Sequence, residues 1–260
     1  MEQITLAEIR NDIKYIEIIN SIIVKNNNCS LKILINTIHK ISPELKEFCE
    51  ENKNNFTIKS CKDKGLLGKM VEYYLFANLP NSCSASDMIY GDIKTTNFKN
   101  LKLQGSNAFN AKERLTLTNI GNPYNNILTI ENKLQDTKYY NKINKGIVLI
   151  FKHDTTIYKN VEDYYNKIII GIIYYNLDEV FNKYDEIKTI CHEDFLKIKK
   201  CILTNKISQK GQQYIHLHKH GSKNSITRAF GFTNKFLTKL ASIYLNKTLV
   251  IKGKQTYIEI

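Results

Sequence analysis

Two short runs constrain the fold more than anything else in this chain: Ile147 to Phe151 (IVLIF) and Ile168 to Tyr175 (IIIGIIYY). Neither alternates apolar with polar residues, so neither suits a strand with one face in water. A strand of this kind is covered on both faces, which calls for a sheet with other layers above and below it. The covering layers are legible as amphipathic helices. Apolar residues recur at helical spacing at Ile13, Ile16, Ile19, Ile22 and Ile23, and again from Leu31 to Ile41. Ser42-Pro43-Glu44 reads as a helix start, with Ser42 as cap and proline in the first turn. Leu177 to Tyr184, Phe195 to Leu203 and Asn234 to Leu245 read as further helices, and Leu115, Leu117 and Ile127 to Ile130 as further strands. The expected class is therefore α/β, with a mixed central sheet flanked by helices.

The chain has 260 residues, enough for one large domain or two lobes. We divide it into a helical N-terminal segment over 1–60 packed on the core, a central catalytic lobe over 61–175 and a C-terminal recognition lobe over 176–260, as parts of one integrated domain. Asn26 to Asn28 and Asn52 to Asn55 are turns within it. The polar stretch from Thr96 to Lys112, with Lys99, Lys102 and Gly105, reads as a loop or short hairpin. Six scattered cysteines without a Cys-x-x-Cys pair read as free thiols. No signal peptide, lipidation motif or apolar run of spanning length is present, so the expectation is a soluble cytoplasmic protein without a membrane partner. Lysine and arginine exceed aspartate and glutamate by 13. Such a balance suits a polyanion, although a lysine-, asparagine- and isoleucine-rich composition also follows from an AT-rich genome.

The chemistry concentrates between Lys64 and Thr96. In KGLLGKMVE, Leu67, Met70, Val71, Tyr74 and Leu75 form the buried stripe of a helix, while Gly65, Gly68 and Glu72 share another. Glycines on that stripe let a second backbone come close. In DMIYGDIKT, alternation places Asp92 and Lys94 on one side of a strand and Ile93 on the other. A bend at Gly91 would swing Asp87 back toward Asp92. Carboxylates at Glu72, Asp87 and Asp92 offer the hard oxygens that magnesium takes, with manganese able to stand in. Lys94 would orient an attacking water or offset charge building on a phosphorane. The plain alternative is a solvated strand edge, since Asp-x-Lys arises by chance in lysine-rich chains.

These two segments resemble those of the MutH family, DNA mismatch-repair nicking enzymes and related GATC-cutting restriction endonucleases with a PD-(D/E)xK nuclease core. Two further blocks agree in order: KERLTLTNI (Lys112 to Ile120) and HGSKNSITRAFGFTNKFLTKL (His220 to Leu240). The resemblance covers roughly residues 61–245 and implies a restriction-endonuclease-like fold with a DNA-binding cleft between two lobes. It assigns the metal-binding acids to Glu72, Asp87 and Asp92 and the motif lysine to Lys94. A second catalytic lysine falls on Lys142, with Lys133 and Lys145 as alternatives. The family's base-reading segment matches His218, Lys219 and His220, where this chain departs from the family's basic residue and proline. Lys223 and Asn224 join them as groups suited to base edges, Lys235 and Lys239 to phosphates, and Arg228 to either. His216, His218 and His220 share one strand face, but zinc would need a fourth ligand. Cys191-His192-Glu193 is a weaker metal pattern still.

The reading is a type II restriction endonuclease that hydrolyses double-stranded DNA at GATC or a variant with magnesium, as a homodimer on its site. The alternatives are a MutH-like strand-nicking enzyme and a non-catalytic DNA-binding module.

Overall fold

A computed structural model describes residues 3–27, 29–56, 63, 65–79, 88, 91–101, 107–123, 133–204, 210–221, 224–253 and 255–259. Its elements, in chain order, begin with five helices: α1 (Leu6–Asn11), α2 (Lys14–Lys25), α3 (Leu31–Ile41), α4 (Pro43–Glu51) and α5 (Leu66–Phe76). Strands β1 (Asp92–Leu101), β2 (Ala108–Ala111) and β3 (Leu115–Gly121) come next, then α6 (Tyr140–Ile143), β4 (Lys145–Lys152), α7 (Val161–Tyr164) and β5 (Ile169–Asn176). The rest comprises α8 (Leu177–Lys183), α9 (Asp185–Leu203), β6 (Ile215–Lys219), β7 (Arg228–Phe232), α10 (Asn234–Tyr244), β8 (Leu249–Lys252) and β9 (Gln255–Glu259).

Local chemistry sets the helix boundaries. The Ser30 hydroxyl accepts from Ile33 N–H to start α3, and Ser42 accepts from Leu45 N–H to start α4, with Pro43 at the first position where its missing N–H costs nothing. Asp63 does the same before α5 from further out: it accepts from Gly65 N–H at 2.8 Å and from the Lys69 ammonium at 2.6 Å. Those two contacts, the lysine first, hold its carboxyl below the usual carboxylate range.

Hydrogen bonding orders six strands as β5-β4-β1-β2-β9-β8 in a mixed sheet, and three more as an antiparallel β3-β7-β6 sheet. The α/β expectation with a mixed sheet and flanking helices holds at this level. Every residue from Ile147 to Phe151 is 0% exposed, so both faces of β4 are covered, as its unbroken apolar run requires. Thr96 to Lys112, read as a loop or short hairpin, takes the second form: it supplies the last half of β1 and β2, paired antiparallel from Phe98↔Ala111 to Leu101↔Ala108. Ile127 to Ile130 lies outside the described residues. The described cysteines Cys29, Cys49, Cys191 and Cys201 are free thiols.

The chain clusters into two units: Met1–Asn97 with Gly146–Tyr174, and Phe98–Lys145 with Tyr175–Ile260. Residues 98–145, assigned by sequence to the central lobe, group with the C-terminal part because β2 pairs with β9 and β3 with β7. In the first unit α2 to α5 bury Ile16, Leu34, Leu45 and Met70 in one cluster with Ile93 of β1, Leu149 and Phe151 of β4, and Ile172 of β5. No helix of the described residues is long and apolar enough to cross a membrane.

Candidate functional site

β1 begins immediately after a tight reversal. Met88 and Gly91 exchange backbone hydrogen bonds of 3.2 and 3.0 Å, and Gly91 has φ +110°, a conformation that favours glycine. The chain thus folds back on itself directly before Asp92, where the sequence called for a bend. Asp87 precedes Met88 in sequence and itself lies outside the described residues.

Asp92 opens the strand and Lys94 follows two residues on, so their side chains share a face. The Lys94 ammonium donates to Asp92 Oδ2 at 3.0 Å. Asp92 is only 6% exposed, and its other oxygen, Oδ1, is buried with no hydrogen-bond partner. Among the described residues it is the one carboxylate oxygen in that condition. Leaving a buried acceptor unsatisfied costs about 1–3 kcal/mol, and more when the group is charged. Lys94 keeps 27% of its side chain exposed and so spans from the buried carboxylate to the surface.

Glu72 reaches the same strand from α5. A Cβ placed on Gly68 would meet Thr95 Oγ1 at 3.8 Å and Glu72 Oε1 at 3.9 Å. The flank of α5 that carries Gly68 and Glu72 therefore faces β1 at Thr95. Thr95 follows Lys94 directly, so the flank of α5 that carries Glu72 lies beside the opening residues of β1. Among the described residues no group of three or more His, Cys, Asp or Glu side chains is arranged to hold a metal, and Asp87 is not among those residues.

The lysines proposed to assist separate by element. Lys142 lies half-buried on α6 and Lys145 opens β4, both in the second unit, and Lys133 precedes a single 3-10 turn, Leu134–Asp136.

The recognition residues gather mostly on one hairpin. β6 and β7 pair from Ile215↔Phe232 to Lys219↔Arg228, and His220 N–H extends the ladder to Thr227 O at 2.9 Å. Lys219, His220 and Asn224 are exposed around this tip, which turns at Gly221 (φ +92°); Lys223 lies outside the described residues. Arg228 is occupied locally, its Nη1 donating to the carbonyls of Ser225, Ile226 and Thr227 at 3.1–3.4 Å, which ties the loop together. On α10, Lys235 donates to Gln213 Oε1 and Lys239 to the Tyr214 hydroxyl, with Glu186 3.6 Å from Lys239.

His218 behaves differently. It and His216 are each 4% exposed, with ring centroids 4.7 Å apart on the inner face of the small sheet. Opposite them in β7 stand Ala229 and Gly231, the two residues small enough to leave room for imidazoles. His218 Nε2 pairs with Thr116 Oγ1 at 3.1 Å and His216 Nε2 with Phe232 O at 3.3 Å. Burial, aided by the nearby Arg114 charge, pushes His216 down to about 4. Burial, then the neighbouring His216, pushes His218 down to about 3.

The sequence reading passed over Asp194. It is 0% exposed on α9 and accepts from the backbone N–H groups of Gln213, Tyr214 and Ile215 at 2.6–3.1 Å, fixing the entry of β6. Its position on the apolar face of an otherwise amphipathic helix, beside Ile187, Cys191, Phe195 and Ile198, was the available signal. No protein-family model matches this chain, and no curated protein matches it at a significant level.

Proposed function

We propose that this protein is a magnesium-dependent endonuclease of double-stranded DNA, of the restriction type that the MutH-like segments imply. The observation that carries the reading is Asp92 Oδ1. A carboxylate held at the start of a strand, with one oxygen paired to lysine and the other buried and partnerless, fits a hard cation better than it fits a structural role. Glu72, on the helix flank that faces Thr95, and Asp87, on the far side of the Met88–Gly91 reversal in sequence, are the acids that would complete the set. Magnesium bound there supplies a Lewis acid for the phosphoryl oxygens and eases deprotonation of a water.

The chain's own residues divide the remaining work. Asp92 fixes the site relative to β1, whose next residue, Ile93, is locked into the core at 2% exposure. Lys94 holds its charge against Asp92 Oδ2 with its end open to solvent, where it meets a scissile phosphate and offsets the charge that builds as the P–O bond breaks. Lys219, His220 and Asn224 at the β6–β7 tip present donors and acceptors for base edges. The net charge of +13 favours a polyanionic partner such as duplex DNA.

The test is supercoiled plasmid carrying GATC sites, methylated and unmethylated, incubated with the protein and magnesium. Cutting of both strands to linear product is expected, by a protein that dimerises on its site. An open circle that persists would assign the nicking activity instead. DNA binding without cleavage under any divalent cation would overturn the enzymatic reading.

A further inference from the structure

Outside the Asp92 site, the second unit contains a small polar cavity of whose lining only Lys235, read above as a phosphate contact, has been given a role. It lies where the first turn of α10 crosses β1, β2 and β9, has a volume of about 150 Å³, and is lined chiefly by Lys99, Asn110, Lys235, Thr238, Gln255 and Thr256. At ~30 Å³ per water, that is room for a handful of waters or one tetrahedral oxyanion.

Three features make it a built site. Its position is fixed: the Thr238 hydroxyl accepts from Ala111 N–H at 3.0 Å and donates to Asn234 O at 2.7 Å, stitching the first turn of α10 to the end of β2. Its charge is one-sided, because among the described residues two lysines line it and no carboxylate does. One of its lining residues carries an unsatisfied polar atom, because Asn110 Oδ1 is buried without a partner. A half-turn of that amide about its last torsion brings its NH₂ group to the same place, so Asn110 can donate to a guest as readily as accept from it. Among the described residues Lys235 is held by neutral groups, Gln213 Oε1 at 3.2 Å and the Tyr214 ring at 5.7 Å, and an anion outcompetes both.

We propose that this cavity is a seat for a single phosphate group, gripped by Lys99 and Lys235 and oriented by the Asn110 amide. Under the endonuclease reading, on which only the source of the phosphate rests, the guest is a backbone phosphate of the bound duplex. Lys99 and Lys235 come from β1 and α10, so one phosphate would fix the strand's register against two elements at once.

The experiment measures duplex binding in calcium across a salt series, for the wild type, Lys99→Gln, Lys235→Gln, the double variant and Asn110→Asp. Lys252→Gln, an exposed lysine outside the cavity, is the control. Losing one phosphate contact makes the slope of log K against log salt shallower by about 0.9. That change is expected in each single variant and in Asn110→Asp, with little more in the double, because all remove the same contact. In parallel, inorganic phosphate is titrated while the Asn110 side-chain amide is followed by NMR. A shift in the wild type that vanishes in the double variant, with DNA slopes unchanged, supports the seat and assigns it to free phosphate. Slopes matching the Lys252→Gln control, together with no amide shift, overturn the seat and leave DNA cleavage by the wild type untouched. If the wild type fails to bind DNA, the endonuclease reading falls and the phosphate titration alone decides the seat.

Discussion

The Lys94 ammonium sits 3.0 Å from Asp92 Oδ2, and that single contact leaves Asp92 Oδ1 buried with nothing to bind. Two residues apart on one strand, they share a face only because β1 is extended from its first residue. The reversal at Met88 and Gly91 permits this by turning the chain before Asp92 rather than after it.

Gly68 lies where α5 faces β1, with room for one more carbon. Its would-be Cβ meets Thr95 Oγ1 and Glu72 Oε1 at 3.8 and 3.9 Å, ordinary contact distances. Gly68→Ala should therefore be accommodated, and the helix propensity gain should raise unfolding free energy by about 0.5–1 kcal/mol in urea. Gly68→Leu has no such room and should lower it by about 1–3 kcal/mol. Equal destabilisation by both would contradict the spacing.

Gly231 has the opposite sign. A Cβ there would lie 2.2 Å from Leu115 O, a backbone atom in the paired strand. Gly231→Ala should force β3 from β7 and cost ~3 kcal/mol or more, with lost hydrogen-exchange protection along both strands. Retention of wild-type stability would show that the strands do not approach as described.

How much of this was legible in the sequence depends on whether the signal was local. The unbroken run Ile147–Phe151 announced a strand buried on both faces, and the Ser42-Pro43 pair announced a helix start, because each carries its cause within a few residues. The small residues Ala229 and Gly231 acquire meaning only once β6 places His218 and His216 across from them. The imidazoles read as possible surface ligands for the same reason: alternation gives a shared face but not which face is inside. Asp92 and Lys94 were found by spacing; Lys99, Asn110 and Lys235 come together only through pairing of distant strands and the crossing of α10.

The histidine pair makes stability depend on pH. Both rings are neutral in the folded protein, held down to about 4 and about 3, whereas in the unfolded chain they titrate near the ordinary 6.5. Between those limits the unfolded state binds more protons, so this contribution is fully present above about pH 6.5 and is lost as pH falls toward 4 and then 3. With both groups in the window the loss approaches about 2.7 kcal/mol per pH unit. Urea titrations at pH 7.5, 6 and 5 should show it, and His218→Gln should flatten the profile by removing one of the two contributions. A profile flat over this range in the wild type would place the imidazoles in water.

The central claim rests on Asp92, and the most direct measurement pairs two readouts on one variant. Cleavage of a labelled GATC duplex in magnesium should fall by more than about a hundredfold in Asp92→Ala, the scale of losing one essential electrostatic group. Binding of the same duplex in calcium should stay within a few-fold of wild type, since Asp92 contributes no positive charge to it. Cleavage retained in Asp92→Ala, or cleavage and binding lost together with the folded state, would contradict a metal-holding role for this carboxylate.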